Sequence, residues 1–186
     1  MASLQALSAL GQRGPAVVEI GPLRITERTD VALASVAARR GRMADIARAA
    51  KSAGVPLPDT ARHQTAASYS AFWTAPEMWF VEAPLASHEL IADQLKAAFG
   101  DAASVTEQTD AWVIFDLAAT DLTPLLERLC NVDFASVPKG YATRTMMEHL
   151  GVYLLKLDQG SVRLYGPRSS AQSLLHALEV AAGSAW

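Results

Sequence analysis

The chain repeats itself, and the repeat constrains the fold more than any other feature. ITERTD (25–30) returns 80 positions later as VTEQTD (105–110), matching at Thr26/Thr106, Glu27/Glu107, Thr29/Thr109 and Asp30/Asp110. A single hexapeptide match falls within chance for a chain of this length; order along the chain carries the argument. At the same offset VALASVA (31–37) meets AWVIFDL (111–117), and RMADIARAAKSAGVPLP (42–58) meets LTPLLERLCNVDFASVP (122–138). Beyond Pro58 and Pro138 the offset becomes 83, and APLASHELIADQLKAAFG (83–100) falls on GPRSSAQSLLHALEVAAG (166–183). Element type agrees throughout, which indicates a duplication.

Each copy carries the same run of periodicities. Trp112, Ile114 and Asp116 alternate with Val113, Phe115 and Leu117, the two-residue period of a strand. Leu122, Leu125, Leu126 and Leu129 have helical spacing, with Pro124 suited to a first turn. Met43, Ile46, Ala50 and Ala53 make the thinner stripe of the first copy, closed by Gly54. The runs YSAFWTA and EMWFVEA join at Pro76–Glu77, and VYLLKLD and SVRLYG join at Gln159–Gly160. Both copies close with an amphipathic helix ending at glycine, Ile91–Leu95–Ala98–Phe99 and Leu174–Leu178–Ala181–Ala182. Ser87 and the Ser169–Gln172 box are the predicted caps. The expected fold is α+β: two tandem ferredoxin-like βαββαβ halves, about 23–100 and 101–186, packed together behind an N-terminal arm at 1–22. The second copy adds a β-run at 141–150, and 102–107 supplies the closing strand of the first.

Composition excludes several function classes. A net charge of −3 is wrong for a general nucleic-acid or anionic-membrane binder. With 51% hydrophobic and only 19% charged residues, some apolar surface is expected to be covered by a partner. Cys130 is the single cysteine, so no internal disulfide forms and a reducing, cytoplasmic location is expected. The first residues lack a basic n-region and are broken early by Gly11, Gly14 and Pro15, which fits neither a signal peptide nor a membrane span.

No motif carries chemistry outright. Thr-Glu-x-Thr-Asp offers carboxylates for acid–base work, but a catalytic site rarely occurs twice in one small chain, and strand-entry structure is the preferred reading. AARRGR, with Arg39, Arg40 and Arg42, lies just before a helix, where the macrodipole disfavours cations; a solvated loop and an inter-subunit contact are its two readings. Phe72, Trp73, Trp79 and Phe80 read as core aromatics across a hairpin, or as anchors for a protein partner. Arg144 and Glu148 are expected to share a salt-bridged strand face near His149. His63, His88, His149 and His176 show no ligand spacing, Cys130 reads as a small buried hydrophobe, and no glycine-rich phosphate loop occurs. No catalytic, cofactor-binding or metal-binding residue is assigned.

Five blocks in order carry a resemblance: LASVAARRGR, AFWTAPEMWFVEAP, SVTEQTDAWVIFDL, ERLCNVD, and RTMMEHLGVYLLK with GSVRLYGPRSS. Over about 23–183 the chain resembles the gamma subunit family of heterotetrameric sarcosine oxidase, which in turn resembles the folate-binding fold of the glycine-cleavage T-protein. The resemblance implies a non-catalytic partner of alpha, beta and delta subunits, in an enzyme that demethylates sarcosine to glycine with hydrogen peroxide as co-product. The one-carbon unit leaves as formaldehyde or is captured on tetrahydrofolate. FAD, FMN, NAD and the folate site are implied for the alpha and beta subunits, zinc for delta, and no cofactor for this chain. KGYATR (139–144) is similar to a motif of another folate-binding relative but lacks its cysteine, so folate binding rests on fold alone. The alternatives are a free-standing folate-binding one-carbon protein of T-protein type, and the same subunit in an enzyme for another N-methyl amino acid. Asp30 and Asp110 are expected at equivalent positions, bonded to nearby backbone and away from any ligand.

Overall fold

The computed structural model describes residues 5–186. In chain order the strands are β1 (Val17–Ile20), β2 (Leu23–Arg28), β3 (Val31–Ala38), β4 (His63–Thr65), β5 (Ser70–Ala75), β6 (Met78–Pro84), β7 (Ala103–Glu107), β8 (Trp112–Ala118), β9 (Ala142–Met147), β10 (Leu150–Asp158) and β11 (Ser161–Pro167). The α-helices are α1 (Met43–Ala53), α2 (Leu85–His88), α3 (Ile91–Phe99), α4 (Thr123–Leu129) and α5 (Ala171–Ala185). They form a mixed α/β architecture with two sheets, ordered β1-β2-β8-β11-β10-β9 and β4-β5-β6-β3-β7. The first belongs to a compact unit of residues up to Thr29 with Ala111–Lys139 and Arg144–Trp186; the second belongs to Asp30–Asp110 with Gly140–Thr143.

Alternation along the strands creates each core. In the first unit Val113, Phe115 and Leu117 of β8 and Val162 and Leu164 of β11 face Leu125 and Leu126 of α4 and Leu174 and Leu178 of α5. In the second, Ala32, Ala34 and Val36 of β3 and Trp79 and Val81 of β6 pack with Ile46 of α1 and Ile91, Leu95 and Phe99 of α3. Each large aliphatic side chain so buried contributes roughly 1.5–3 kcal/mol. The other face of the first sheet is buried too, at Ile114, Leu155 and Tyr165.

Strand pairings in the two units match position by position. Val31 faces Pro84 as Trp112 faces Pro167, and Ala34 faces Val81 as Phe115 faces Leu164. Both prolines have the same backbone, φ −60° and ψ 125° at Pro84, φ −58° and ψ 129° at Pro167. The hairpins slip at matching points, between Trp73 and Ala75 and between Lys156 and Asp158. Buried Ile91, Ala92, Leu95 and Phe99 match Leu174, Leu175, Leu178 and Ala182, an offset of 83.

One detail corrects the sequence alignment. Glu27 pairs with Phe115 and Glu107 with Ala34, so the hexapeptides keep their offset of 80 while the strands after them are offset by 81. The added residue is absorbed in the 3₁₀ turn Thr109–Ala111.

The threading also departs from a tandem order. β7 closes the second sheet beside β3, but nothing after α5 does so for the first; that place beside β8 belongs to β2, from the other end of the chain. Each hexapeptide therefore ends the strand that closes one sheet's repeat beside β8 or β3 and leads into the first repeat strand of the other sheet. Asp30 and Asp110 are both exposed at this handover, directly before β3 and inside the turn before β8.

Smaller corrections have local causes. The run 141–150 is two strands, because Glu148 and His149 both take left-handed φ (45° and 66°) and turn the chain between β9 and β10. The run after Pro84 breaks at Glu89–Leu90 into α2 and α3. Neither predicted cap forms: Ser87 Oγ donates to the Pro84 carbonyl, and Ser169 falls inside the 3₁₀ turn Arg168–Ser170, leaving Ser170 before α5 with no side-chain cap bond. Gly54 ends α1 in the left-handed conformation as expected, whereas Gly183 lies inside α5. The described part of the arm, 5–22, lies against the first unit, with Ala9 and Leu10 packed on its core and β1 paired to β2.

Candidate functional site

Glu27, with Leu23 and Ile25, points into the core side of β2 and is 2% exposed. Its carboxylate accepts the amides of Leu10 (3.2 Å) and Ala16 (3.1 Å), which holds the N-terminal segment. In the second copy Glu107 is exposed and accepts the amide of Thr109 (2.7 Å), while Thr109 Oγ1 accepts the Leu33 amide (2.9 Å). The Asp30 carbonyl accepts the Leu85 amide. The Glu27 and Glu107 carboxylates thus hold backbone.

The aromatic hairpin is core. Phe72 and Phe80 meet edge to face at 5.4 Å, and the Trp79 indole donates to the Pro58 carbonyl (2.8 Å). Arg144 stands over the Tyr153 ring at 5.8 Å, and Tyr153 in turn packs on Trp112. Glu148 leaves the strand in the turn, so the shared Arg144–Glu148 strand face does not exist. Burial raises the Tyr153 hydroxyl, with the Arg144 charge partly opposing. Burial likewise raises the half-buried Cys130 thiol, whose Sγ donates to the Leu126 carbonyl.

Two charged groups were missed in the sequence. Asp116 of β8 takes Arg163 through both carboxylate oxygens (2.7 and 2.9 Å) and Arg28 at 2.7 Å. Burial raises its carboxyl, but the bonds and charges of Arg163 and then Arg28 outweigh it and hold the group below the ordinary range. Lys156 of β10 is 4% exposed; its ammonium donates to the carbonyls of Phe134 and Val137, both 2.8 Å, and lies 4.4 Å from the Phe134 ring centre. A signal for Lys156 and Glu27 existed: each occupies an inward position of an otherwise apolar alternation.

A groove of about 580 Å³ lies between α4, α5 and the β9–β10 turn. Arg128, Glu148 and His176, each exposed, supply its ionisable groups and Val180 an exposed apolar edge. All four face solvent, so the groove suits reversible contact with a polar surface more than chemistry in a water-free pocket. Among the described residues no group of three or more His, Cys, Asp or Glu converges as a metal site would require, and no helix is long and apolar enough to cross a membrane. The four histidines stand apart: His63 on β4, His88 beside the Tyr69 ring, His149 in the turn and His176 in the groove.

No family model matches the chain, and no curated protein sequence matches it. Solved structures do. The fold is similar to that of a chain of the heterotetrameric sarcosine oxidase from Corynebacterium sp. U-96, determined with pyrrole 2-carboxylate: TM-score 0.76, 20% identity, 90% of this chain and 87% of that one. It is more distantly similar to the glycine cleavage system aminomethyltransferase T from Bartonella henselae, with TM-score 0.58 and 10% identity over 82% of this chain. This chain spans 44% of that aminomethyltransferase. The expected similarity of fold to sarcosine oxidase and, more distantly, to T-protein is thereby observed.

Proposed function

We propose that this chain is the gamma subunit of a heterotetrameric sarcosine oxidase, built from two ferredoxin-like units and serving assembly, not catalysis. The observation carrying the reading is the extent of the match in fold, 90% of this chain against 87% of the sarcosine oxidase chain at TM-score 0.76. The T-protein likeness supports the reading less, since it covers 82% of this chain and 44% of that protein at TM-score 0.58. Alpha, beta and delta subunits are the proposed partners, in the cytoplasm. FAD, FMN, NAD and tetrahydrofolate are assigned to the partners, and none to this chain. Sarcosine is the proposed substrate of the complex; a related N-methyl amino acid would be chosen by the flavin-bearing subunit, through residues this chain does not contain.

The test is expression of this chain alone and together with the large subunits. Alone it is expected to show no flavin absorbance and no sarcosine-dependent peroxide; together they are expected to elute as one stoichiometric, active complex. A yellow, sarcosine-oxidising preparation of this chain alone overturns the proposal. Calorimetric titration with tetrahydrofolate separates the T-protein alternative, which requires micromolar binding by the isolated chain.

A further inference from the structure

The duplication supplies an internal control, because two copies of one unit show what the fold requires and where one copy departs from it. The connection between the first strand and first helix is such a departure. In one copy it reads Ala119-Thr-Asp-Leu122, and Asp121 accepts the Thr123 amide at 2.9 Å. That bond holds the Asp121 carboxyl below its usual range, the arrangement a helix start favours. In the other copy it reads Arg39-Arg-Gly-Arg42, and Arg42, bonded to Asp45, gives α1 no side-chain cap bond. Guanidiniums stand where the helix dipole opposes them, so the fold itself does not ask for them.

The cations are only partly neutralised. Arg39 reaches Asp101, and Arg42 and Arg48 share Asp45, which leaves Arg40 without a carboxylate among the described residues. All four arginines are exposed, on a chain whose net charge is −3. Exposed methionines accompany them. Met43 opens α1 at 36% exposure, and Met78, 40% exposed, pairs with Ala37 at the end of β3 that leads into the arginines. Arginine and methionine together are the composition of a protein-binding patch, and lysine, the usual solvating cation, is absent from 39–48.

We infer that the β3–α1 corner, Arg39–Met43 with Arg48 and Met78, is a docking surface for an acidic patch on a protein partner. The inference rests on the subunit reading above and takes that partner to be a large subunit of the complex. The misplaced charges cost stability in the free chain and are compensated on binding by carboxylates of the partner.

The test uses the full chain and purified large subunits, with affinity read by surface plasmon resonance from about 50 to about 500 mM salt. Wild type is expected to weaken steeply with salt. R40E/R42E is expected to bind at least about tenfold more weakly at low salt and to lose most of the salt dependence. Its thermal midpoint is expected to stay level or rise, since carboxylates suit a helix N-terminus. Arg24→Glu, an exposed charge on β2, is expected to change neither affinity nor slope. Unchanged affinity and slope in R40E/R42E overturn the inference and leave the subunit reading standing. Failure of wild type to bind the large subunits removes the reading and the inference with it. Should the charge-reversed protein unfold, R40Q/R42Q decides, with a reduced salt slope in support and an unchanged one against. Binding of poly-uridylate RNA or phosphatidylserine vesicles through the same arginines also overturns it.

Discussion

Glu27 and Ala16 are tied twice: the Glu27 amide donates to the Ala16 carbonyl at 2.8 Å, and the Ala16 amide donates to the Glu27 carboxylate at 3.1 Å. The second carboxylate oxygen takes the Leu10 amide, so one buried side chain fixes two points of the N-terminal segment. Removing it strands both donors. Glu27→Ala is expected to cost about 2–3 kcal/mol, the range for hydrogen bonds to charged groups, and to expose 8–16 to limited proteolysis. Glu107→Ala, at the matching but exposed position, is expected to cost under about 1 kcal/mol. Urea melts of the two variants check the contrast, and equal losses would refute it.

Asp116 sets a pH dependence. Its carboxyl lies below its unfolded value because Arg163 and Arg28 outweigh the burial that raises it. A depressed acid contributes stability above its unfolded pKa, about 3.9, and loses it as pH falls through the lower folded value. Stability is therefore expected to fall below about pH 4, and Asp116→Asn to flatten that part of the curve. At neutral pH the same variant is expected to lose about 2 kcal/mol, between exposed and fully buried pairs. Denaturant midpoints measured across acid pH check both statements.

Lys156 holds the segment after α4. Its bonds to Phe134 and Val137 cross about twenty residues and end on carbonyls with the ammonium nearly buried. Lys156→Met keeps the apolar stem but leaves both carbonyls unpaired, at an expected cost of about 2 kcal/mol. Amide exchange over 134–140 is expected to quicken more than exchange in β8 or β11. A uniform change across the chain would mean that Lys156 does not anchor this segment.

What the sequence made legible was whatever repeats locally. Pro84 and Pro167, and Leu95 and Leu178, sit in matching places because local alternation and helical spacing determine a side chain's face. The exchange of β2 and β7 between the sheets was not legible. LRITER announces a strand with Leu23 and Ile25 inward, yet the same pattern would serve beside β3 as well as beside β8. Which sheet it joins depends on pairings nearly ninety residues apart, and no local period records those. The turn at Glu148–His149 was hidden for a different reason, since it uses left-handed φ without the glycine or asparagine that normally marks it. The arginine corner was visible as composition, but its meaning required the second copy for comparison.

Gly160 and Gly183 make opposite predictions from the same substitution. A Cβ at Gly160 would lie 2.3 Å from the Ala119 carbonyl oxygen, and backbone cannot step aside cheaply. Gly160→Ala is expected to cost about 1–3 kcal/mol by overpacking at the β10–β11 turn. Gly183 sits within α5, with nothing within 4 Å of its added Cβ. Alanine there restricts the unfolded chain and suits the helix, so Gly183→Ala is expected to stabilise by about 0.5–1 kcal/mol. Thermal melts of the two single variants check the signs. A destabilising Gly183→Ala would show that the residue ends the helix, as its position after the apolar stripe first indicated, and does not continue it.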